Sequence, residues 1–183
     1  MIKAVIFDMD GVLIDTEPLH YRCWKEILKE HYDVEFDYDI YLPCIGSTRQ
    51  FFRDLVKEHY GVDFPDLDEM NRIMKVKKSQ IVKAEGFPEM PGVENALKQL
   101  KEMGYKLAVA SSSPESEIMD AMTRLGLMPY FDSITSGDHV EHPKPEPDTF
   151  LLAAERLNVP TDNCLVIEDS TNGGRAALAA KMD

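Results

Sequence analysis

Short apolar runs that stop abruptly at polar residues recur along this chain, and the positions between them repeat at helical spacing. Val5-Ile6-Phe7 has no polar alternation, the pattern of a strand buried on both faces of a parallel sheet, and it stops at Asp8. Leu107-Ala108-Val109-Ala110 is a second run, ending at Ser111-Ser112-Ser113. Ser133 to Ser136 reads as a weak strand, and Cys164-Leu165-Val166-Ile167 as the last one, stopping at Glu168-Asp169. From Pro91 onward helical faces alternate with these runs: Val93, Ala96, Leu97, Leu100 and Met103, then Ile118, Met122 and Leu125, then Phe150, Leu151, Ala154 and Leu157, then Ala176 to Ala180. Alternation of this kind is the signature of βαβ units and a parallel sheet.

The stretch between the first strand and Pro91 is different. Asp15 or Thr16 can cap a helix carrying Leu19, Cys23, Trp24, Ile27 and Leu28 to about Tyr32. A polar, aromatic-rich segment with Pro43 and Gly46 follows. Ser47 is the expected cap of a second helix with Phe51, Phe52, Leu55, Val56 and Tyr60 on its apolar face, ended by Gly61. Pro65 and Asp66 open a third, through Met70, Ile73, Met74 and Ile81 to near Gly86. The expected architecture is therefore α/β, a Rossmann-like parallel-sheet core made of residues 1–15 and 89–183. An all-helical cap of residues 16–88, far longer than an ordinary loop, interrupts it and has the size of a lid.

Charge and cysteine usage narrow the partners. With 20 basic against 33 acidic residues the net charge is −13, which argues against nucleic acid or an anionic membrane surface. An anionic substrate would need local help from a metal or a few basic side chains. The apolar runs are far shorter than a membrane span, and the N-terminus enters a strand without a signal-peptide layout, so a cytoplasmic monomer is the default expectation. Cys23, Cys44 and Cys164 are widely spaced, with no C-x-x-C, and read as buried thiols rather than a disulfide framework, a zinc site or a nucleophile.

Candidate chemistry lies where the strands stop. Asp8 and Asp10, two apart, would point the same way at the carboxyl end of the first strand, where open α/β sheets place their ligands, and Gly11 lets the backbone turn away. Crowded carboxylates raise a pKa or draw in a divalent cation. One carboxylate can serve as nucleophile, forming an aspartyl-phosphate, while the other acts as general acid and then base. A β-hairpin is the competing reading, since Asp-Gly between apolar runs is also a turn signal; an EF-hand loop fits poorly because Gly11 arrives too early. Asp8 and Asp169, with Glu168, can hold Mg²⁺, while Lys144 and the Ser111 hydroxyl can orient phosphate oxygens. Each of these residues alone has a duller explanation, such as a cap, a loop hydroxyl or a surface lysine. The succession of acid pair, hydroxyl, lysine and acid pair at consecutive strand ends makes coincidence the weaker account.

The motifs Asp8-Met9-Asp10-Gly11-Val12-Leu13, Ala110-Ser111-Ser112-Ser113, Lys144-Pro145-Glu146-Pro147-Asp148 and Ile167-Glu168-Asp169-Ser170 closely resemble the four motifs of the haloacid dehalogenase-like phosphatases. With Asp15-Thr16-Glu17-Pro18-Leu19-His20 and the helical insertion, the chain looks most like the branch containing β-phosphoglucomutase and small sugar-phosphate phosphatases. The resemblance implies Asp8 as nucleophile, Asp10 as acid/base, Ser111 and Lys144 as phosphate ligands, and Mg²⁺ on Asp8, Asp169, Glu168 and the Asp10 carbonyl. It further implies substrate-selecting residues in the helical insertion, matched here by His20, by Arg49 in Gly46-Ser47-Thr48-Arg49, and less securely by Lys77, which Lys75 and Lys78 crowd. Relatives usually continue past the Ala176 to Lys181 helix into another strand, whereas this sequence stops at Asp183. The implied activity is Mg²⁺-dependent hydrolysis of a small phosphorylated metabolite. Two rivals stay open: a phosphosugar mutase with the same core residues, and a non-enzymatic receiver-like phospho-acceptor module.

Overall fold

The strand-forming runs assemble into one four-stranded parallel sheet. The computed structural model describes residues 1–45 and 47–183; Gly46, within the stretch that carries Arg49, lies outside the described residues. The chain divides into two compact units, Met1–Asp15 with Phe87–Asp183, and Thr16–Gly86.

In the first unit the strands are β1 (Ala4–Phe7), β2 (Lys106–Ser111), β3 (Ser133–Ser136) and β4 (Cys164–Ile167), in the order β3-β2-β1-β4 and parallel throughout. The hairpin reading of Asp10-Gly11 is thereby overturned, because both neighbours of β1 run in its own direction. Burial follows the strand period of two. Ala4 and Ile6 of β1, with Ala108 and Ala110 of β2, join one core cluster with Phe150, Ala153, Leu157, Ala176 and Ala177. Val5, Phe7, Leu107 and Val109 face the other, with Val93, Leu97, Ile118, Ala121 and Met122. Helices α7 (Asp148–Leu157) and α8 (Thr171–Ala179) thus cover one face of the sheet, and α5 (Val93–Glu102) and α6 (Glu115–Arg124) the other. Two covered faces explain why the strands read as continuous apolar runs.

Register then sets the level of each strand end. Phe7 pairs with Val109 and Ile167, and Ser111 with Ser136, so the next residues, Asp8 and Glu168, stand level at one edge of the sheet. The Asp8 N–H continues the ladder by donating to the Ile167 carbonyl at 2.9 Å.

The second unit is helical: α1 (Thr16–Tyr32), α2 (Tyr38–Tyr41), a 3₁₀ turn at Leu42–Cys44, α3 (Arg49–Tyr60) and α4 (Leu67–Glu85). Aromatic rings fill its interior, with Trp24 stacked on Phe52 at 4.4 Å between centroids and edge-on to Phe64 at 5.7 Å. One local expectation fails here. Thr48, not Ser47, caps α3, its hydroxyl accepting from the Phe51 N–H at 3.2 Å, while the Ser47 hydroxyl turns back to the Cys44 carbonyl at 2.7 Å. In the first unit α8 starts at Thr171 with Ser170 as its cap, ahead of the Ala176 to Ala180 face read from the sequence, and Gly173 and Gly174 belong to its first turn.

Candidate active site

Three strand ends, one loop and the start of a helix deliver their side chains to one cavity of about 250 Å³ lined by Asp8, Asp10, Ser111, Ser112, Lys144, Glu168, Asp169, Ser170 and Asn172. The core residues singled out from the sequence are all in this group. Asp8 follows β1 directly, and the turn after it is closed by Leu13 and Ile14 N–H groups donating to the Met9 carbonyl and by the Gly11 N–H donating to the Ile14 carbonyl at 2.8 Å. Lys144 comes from the proline-rich loop before α7, and Glu168 and Asp169 from the end of β4.

Lys144 is the hub of the charged cluster. Its ammonium donates to Asp8 Oδ1 at 2.5 Å and Glu168 Oε2 at 2.7 Å and lies 4.6 Å from the Phe150 ring centroid. All three side chains of this ion triad are buried. Burial pushes the Asp8 carboxyl up to about 7; Lys144 pulls against this, while the Glu168 and Asp10 charges add to it. Burial also works against the charge of Glu168, but there the Lys144 ammonium and the Ser170 hydroxyl and N–H win, and its pKa falls below the ordinary value. The Ser170 hydroxyl donates to Glu168 Oε1 at 2.7 Å and accepts from the Gly173 N–H at 3.0 Å, so one residue caps α8 and aims the acid.

Two glycines make room for the acids. At Gly11, whose φ is +81°, a β-carbon would stand 1.9 Å from Asp169 Oδ2. At Gly173 one would stand 1.9 Å from Glu168 Oε2. Nothing in the sequence pattern distinguishes Gly173 from a helix-opening glycine, because the reason for it is an acid brought in by the register of β4.

One oxygen from each of Asp8, Glu168 and Asp169 can be chosen so that all lie within 4.8 Å of one another. Hard oxygen donors at that spacing fit a divalent cation such as Mg²⁺ or Ca²⁺. The cavity otherwise sets four carboxylates, Asp8, Asp10, Glu168 and Asp169, against the single ammonium of Lys144. A phosphate dianion would be repelled from such a surface unless a cation joined it.

The sequence pattern does not mark the roles of Ser113 and Ser136. The Ser113 hydroxyl donates to Asp10 Oδ2 at 2.9 Å, and its N–H donates to Ser111 Oγ at 3.1 Å. Because Ser111 Oγ accepts from the chain, its own O–H proton is left for a ligand oxygen. The Ser111-Ser112-Ser113 run was the available signal, but only tertiary contact shows which hydroxyl meets which acid.

Within the helical unit, His20 and Arg49 line a second cavity of about 290 Å³ with Glu17, Trp24, Tyr41 and Thr48. Lys77 is elsewhere: it is 8% exposed, and its ammonium is bound by both Glu30 carboxylate oxygens at 2.7 and 2.6 Å. Of the cysteines, Cys23 and Cys164 are buried and Cys44 is half-buried, all as free thiols; burial raises the Cys23 thiol to about 11, opposite to the activation a nucleophile needs.

Comparison with known proteins gives this arrangement its context. The family model described as haloacid dehalogenase-like hydrolase matches residues 5–183. A phosphorylated carbohydrates phosphatase of Thermotoga maritima is 36% identical over 183 residues, covering 100% of this chain and 83% of the relative. A β-phosphoglucomutase of Bacillus subtilis is 32% identical over 186 residues, covering 99% of this chain and 81% of the relative. Among solved structures, a hydrolase of the same family from Deinococcus radiodurans, with bound phosphate and sodium, superposes with a TM-score of 0.81 at 26% identity, covering 99% of this chain and 78% of the other.

Proposed function

The chain belongs to the haloacid dehalogenase-like hydrolase family, and from that premise we propose that it hydrolyses the phosphate monoester of a small phosphorylated carbohydrate through an aspartyl-phosphate at Asp8. The observation that carries the proposal is the buried Asp8–Lys144–Glu168 triad beside Asp10 and Asp169 in one cavity. Asp8 attacks phosphorus as the ester P–O bond breaks, and Asp10 gives its proton to the departing sugar oxygen. Water then attacks the phosphorus of the aspartyl-phosphate, Asp10 taking the water's proton as inorganic phosphate leaves and the Asp8 carboxylate is restored. Lys144 and the Ser111 O–H bind the phosphoryl oxygens whose charge rises at each transition state. Asp8, Glu168 and Asp169, with the Asp10 carbonyl, are the groups that would hold Mg²⁺, which supplies Lewis-acid charge neutralisation when bound.

His20 and Arg49 are the residues we assign to recognition of the sugar portion, with Arg49 suited to an anionic or polyhydroxyl group. Lys77, held by Glu30, enters as a buttress of the helical unit. Hydrolysis is favoured over mutase action because it asks only for release of phosphate, whereas a mutase must keep water from the aspartyl-phosphate while a sugar phosphate reorients. The test is a panel of phosphorylated sugars with Mg²⁺, monitored for inorganic phosphate, together with β-glucose 1-phosphate plus a trace of its 1,6-bisphosphate. Repeated phosphate release abolished by EDTA is expected. Isomerisation with little phosphate release would replace this reading with the mutase, and a single stoichiometric labelling without turnover would replace it with the receiver-like module.

A further inference from the structure

Ser113 stands outside the groups used so far, yet its position is fixed by three strand-end contacts. Its N–H donates to Ser111 Oγ at 3.1 Å, at the end of β2. Its carbonyl accepts from Ser136 Oγ at 2.7 Å, at the end of β3, and Ser136 Oγ in turn accepts from the Asp138 N–H at 3.1 Å. Ser111 and Ser136 are 1% and 0% exposed, so both clamps belong to the core of the sheet edge. The one proton of the Ser113 hydroxyl is then given to Asp10 Oδ2 at 2.9 Å, across 103 residues of sequence.

We infer that Ser113 is the positioning residue of Asp10, holding Oδ2 so that the acid's proton is carried on Oδ1. The inference rests on the phosphomonoesterase reading above. A carboxylic acid has one proton and two oxygens; an O–H already donated to Oδ2 makes that oxygen an acceptor and leaves the proton to the other. During cleavage that proton moves from Oδ1 to the ester oxygen as the P–O bond breaks, while Ser113 keeps its own proton. Asp10 sits on a turn beyond the end of β1, and a carboxyl there without an anchor would sample several rotamers. Misplacing a reacting group by about 1 Å costs on the order of a hundredfold in rate.

The leaving group reports this role. An aryl phosphate with an acidic phenol departs with little need of a proton, whereas a sugar or other alkyl phosphate depends on the general acid. S113A should therefore lower kcat/KM for an alkyl phosphate by about tenfold or more while leaving 4-nitrophenyl phosphate within about threefold, and S113T, which keeps the hydroxyl, should recover the alkyl-phosphate rate. In the D10N background, S113A should add no further loss. Should S113A not fold, S113C, with its weak donor, takes its place with the same expected ranking. Equal losses on both substrate classes, S113T no better than S113A, or additive losses in D10N would overturn the assignment while wild-type turnover stands. Absence of wild-type phosphate release from either class would instead overturn the phosphomonoesterase reading, and this inference with it.

Discussion

Two aspartates two residues apart, Asp8 and Asp10, occupy different environments, and the difference divides their work. Asp8 is 7% exposed and ion-paired to Lys144, while Asp10 is half-buried and receives the Ser113 hydroxyl. D8N should abolish both turnover and phosphoenzyme, since an amide is no nucleophile. D10N should retain cation binding and lower kcat by about two to four orders of magnitude, the usual worth of general acid–base catalysis. Rapid-quench detection of labelled enzyme and calorimetric Mg²⁺ titration of the two variants check this; a phosphoenzyme in D8N alongside full activity in D10N would overturn both assignments. The residues of this pair were legible because an apolar run ending in acids is a pattern in one dimension. Ser113 and Gly173 were not, because their meaning comes from Asp10 and Glu168, which the register of separate strands brings to them.

At the scale of elements, the strands β1, β2 and β4 and helices α1, α3, α4, α5, α6 and α7 follow from period and punctuation, because burial on one or two faces decides each. What failed was local and degenerate. Ser47 and Thr48 are both competent caps, and the one in register with the Phe51 N–H is settled by the turn before it. Tyr38–Tyr41 is too short for a helical period to show, and its rings pack on Tyr21 and Phe36. The start of α8 shows a cap with a second duty. Ser170 satisfies the Gly173 N–H and also donates to Glu168 Oε1. S170A should lower stability by about 1 kcal/mol for the lost cap and weaken Mg²⁺ affinity by about tenfold or more for the lost hold on a candidate ligand. Denaturant midpoints and calorimetric titration separate the two effects. A loss of stability with unchanged Mg²⁺ affinity would reduce Ser170 to a cap alone, and S170T should recover both.

For the whole molecule, a buried aspartate within an acid cluster, in a chain of net charge −13, ties stability to pH and to cation. Folding raises the Asp8 pKa from 3.8 to about 7, chiefly by burial, so between those values the folded chain holds a proton that the unfolded chain has released. The sign follows directly: this contribution is fully present below about 4 and is lost as pH rises through about 7, making the metal-free protein less stable at pH 8 than at pH 6. For one group with these pKa values the difference between pH 6 and 8 is about 1.4 kcal/mol, or about 3–6 °C in the thermal midpoint of a domain of this size. The folded Glu168 pKa lies below its ordinary value instead, and that contribution is already complete by pH 6. Groups elsewhere also titrate, so the comparison to make is wild type against D8N, both in EDTA at pH 6 and pH 8. The wild-type midpoint should fall more between the two pH values, and Mg²⁺ at saturating concentration should erase the excess fall by favouring the charged carboxylate, adding stability in proportion to the logarithm of its concentration. Identical pH dependence in the two proteins would show that Asp8 is ionised in the folded chain across this range, and that Lys144 outweighs the burial of the acid it binds.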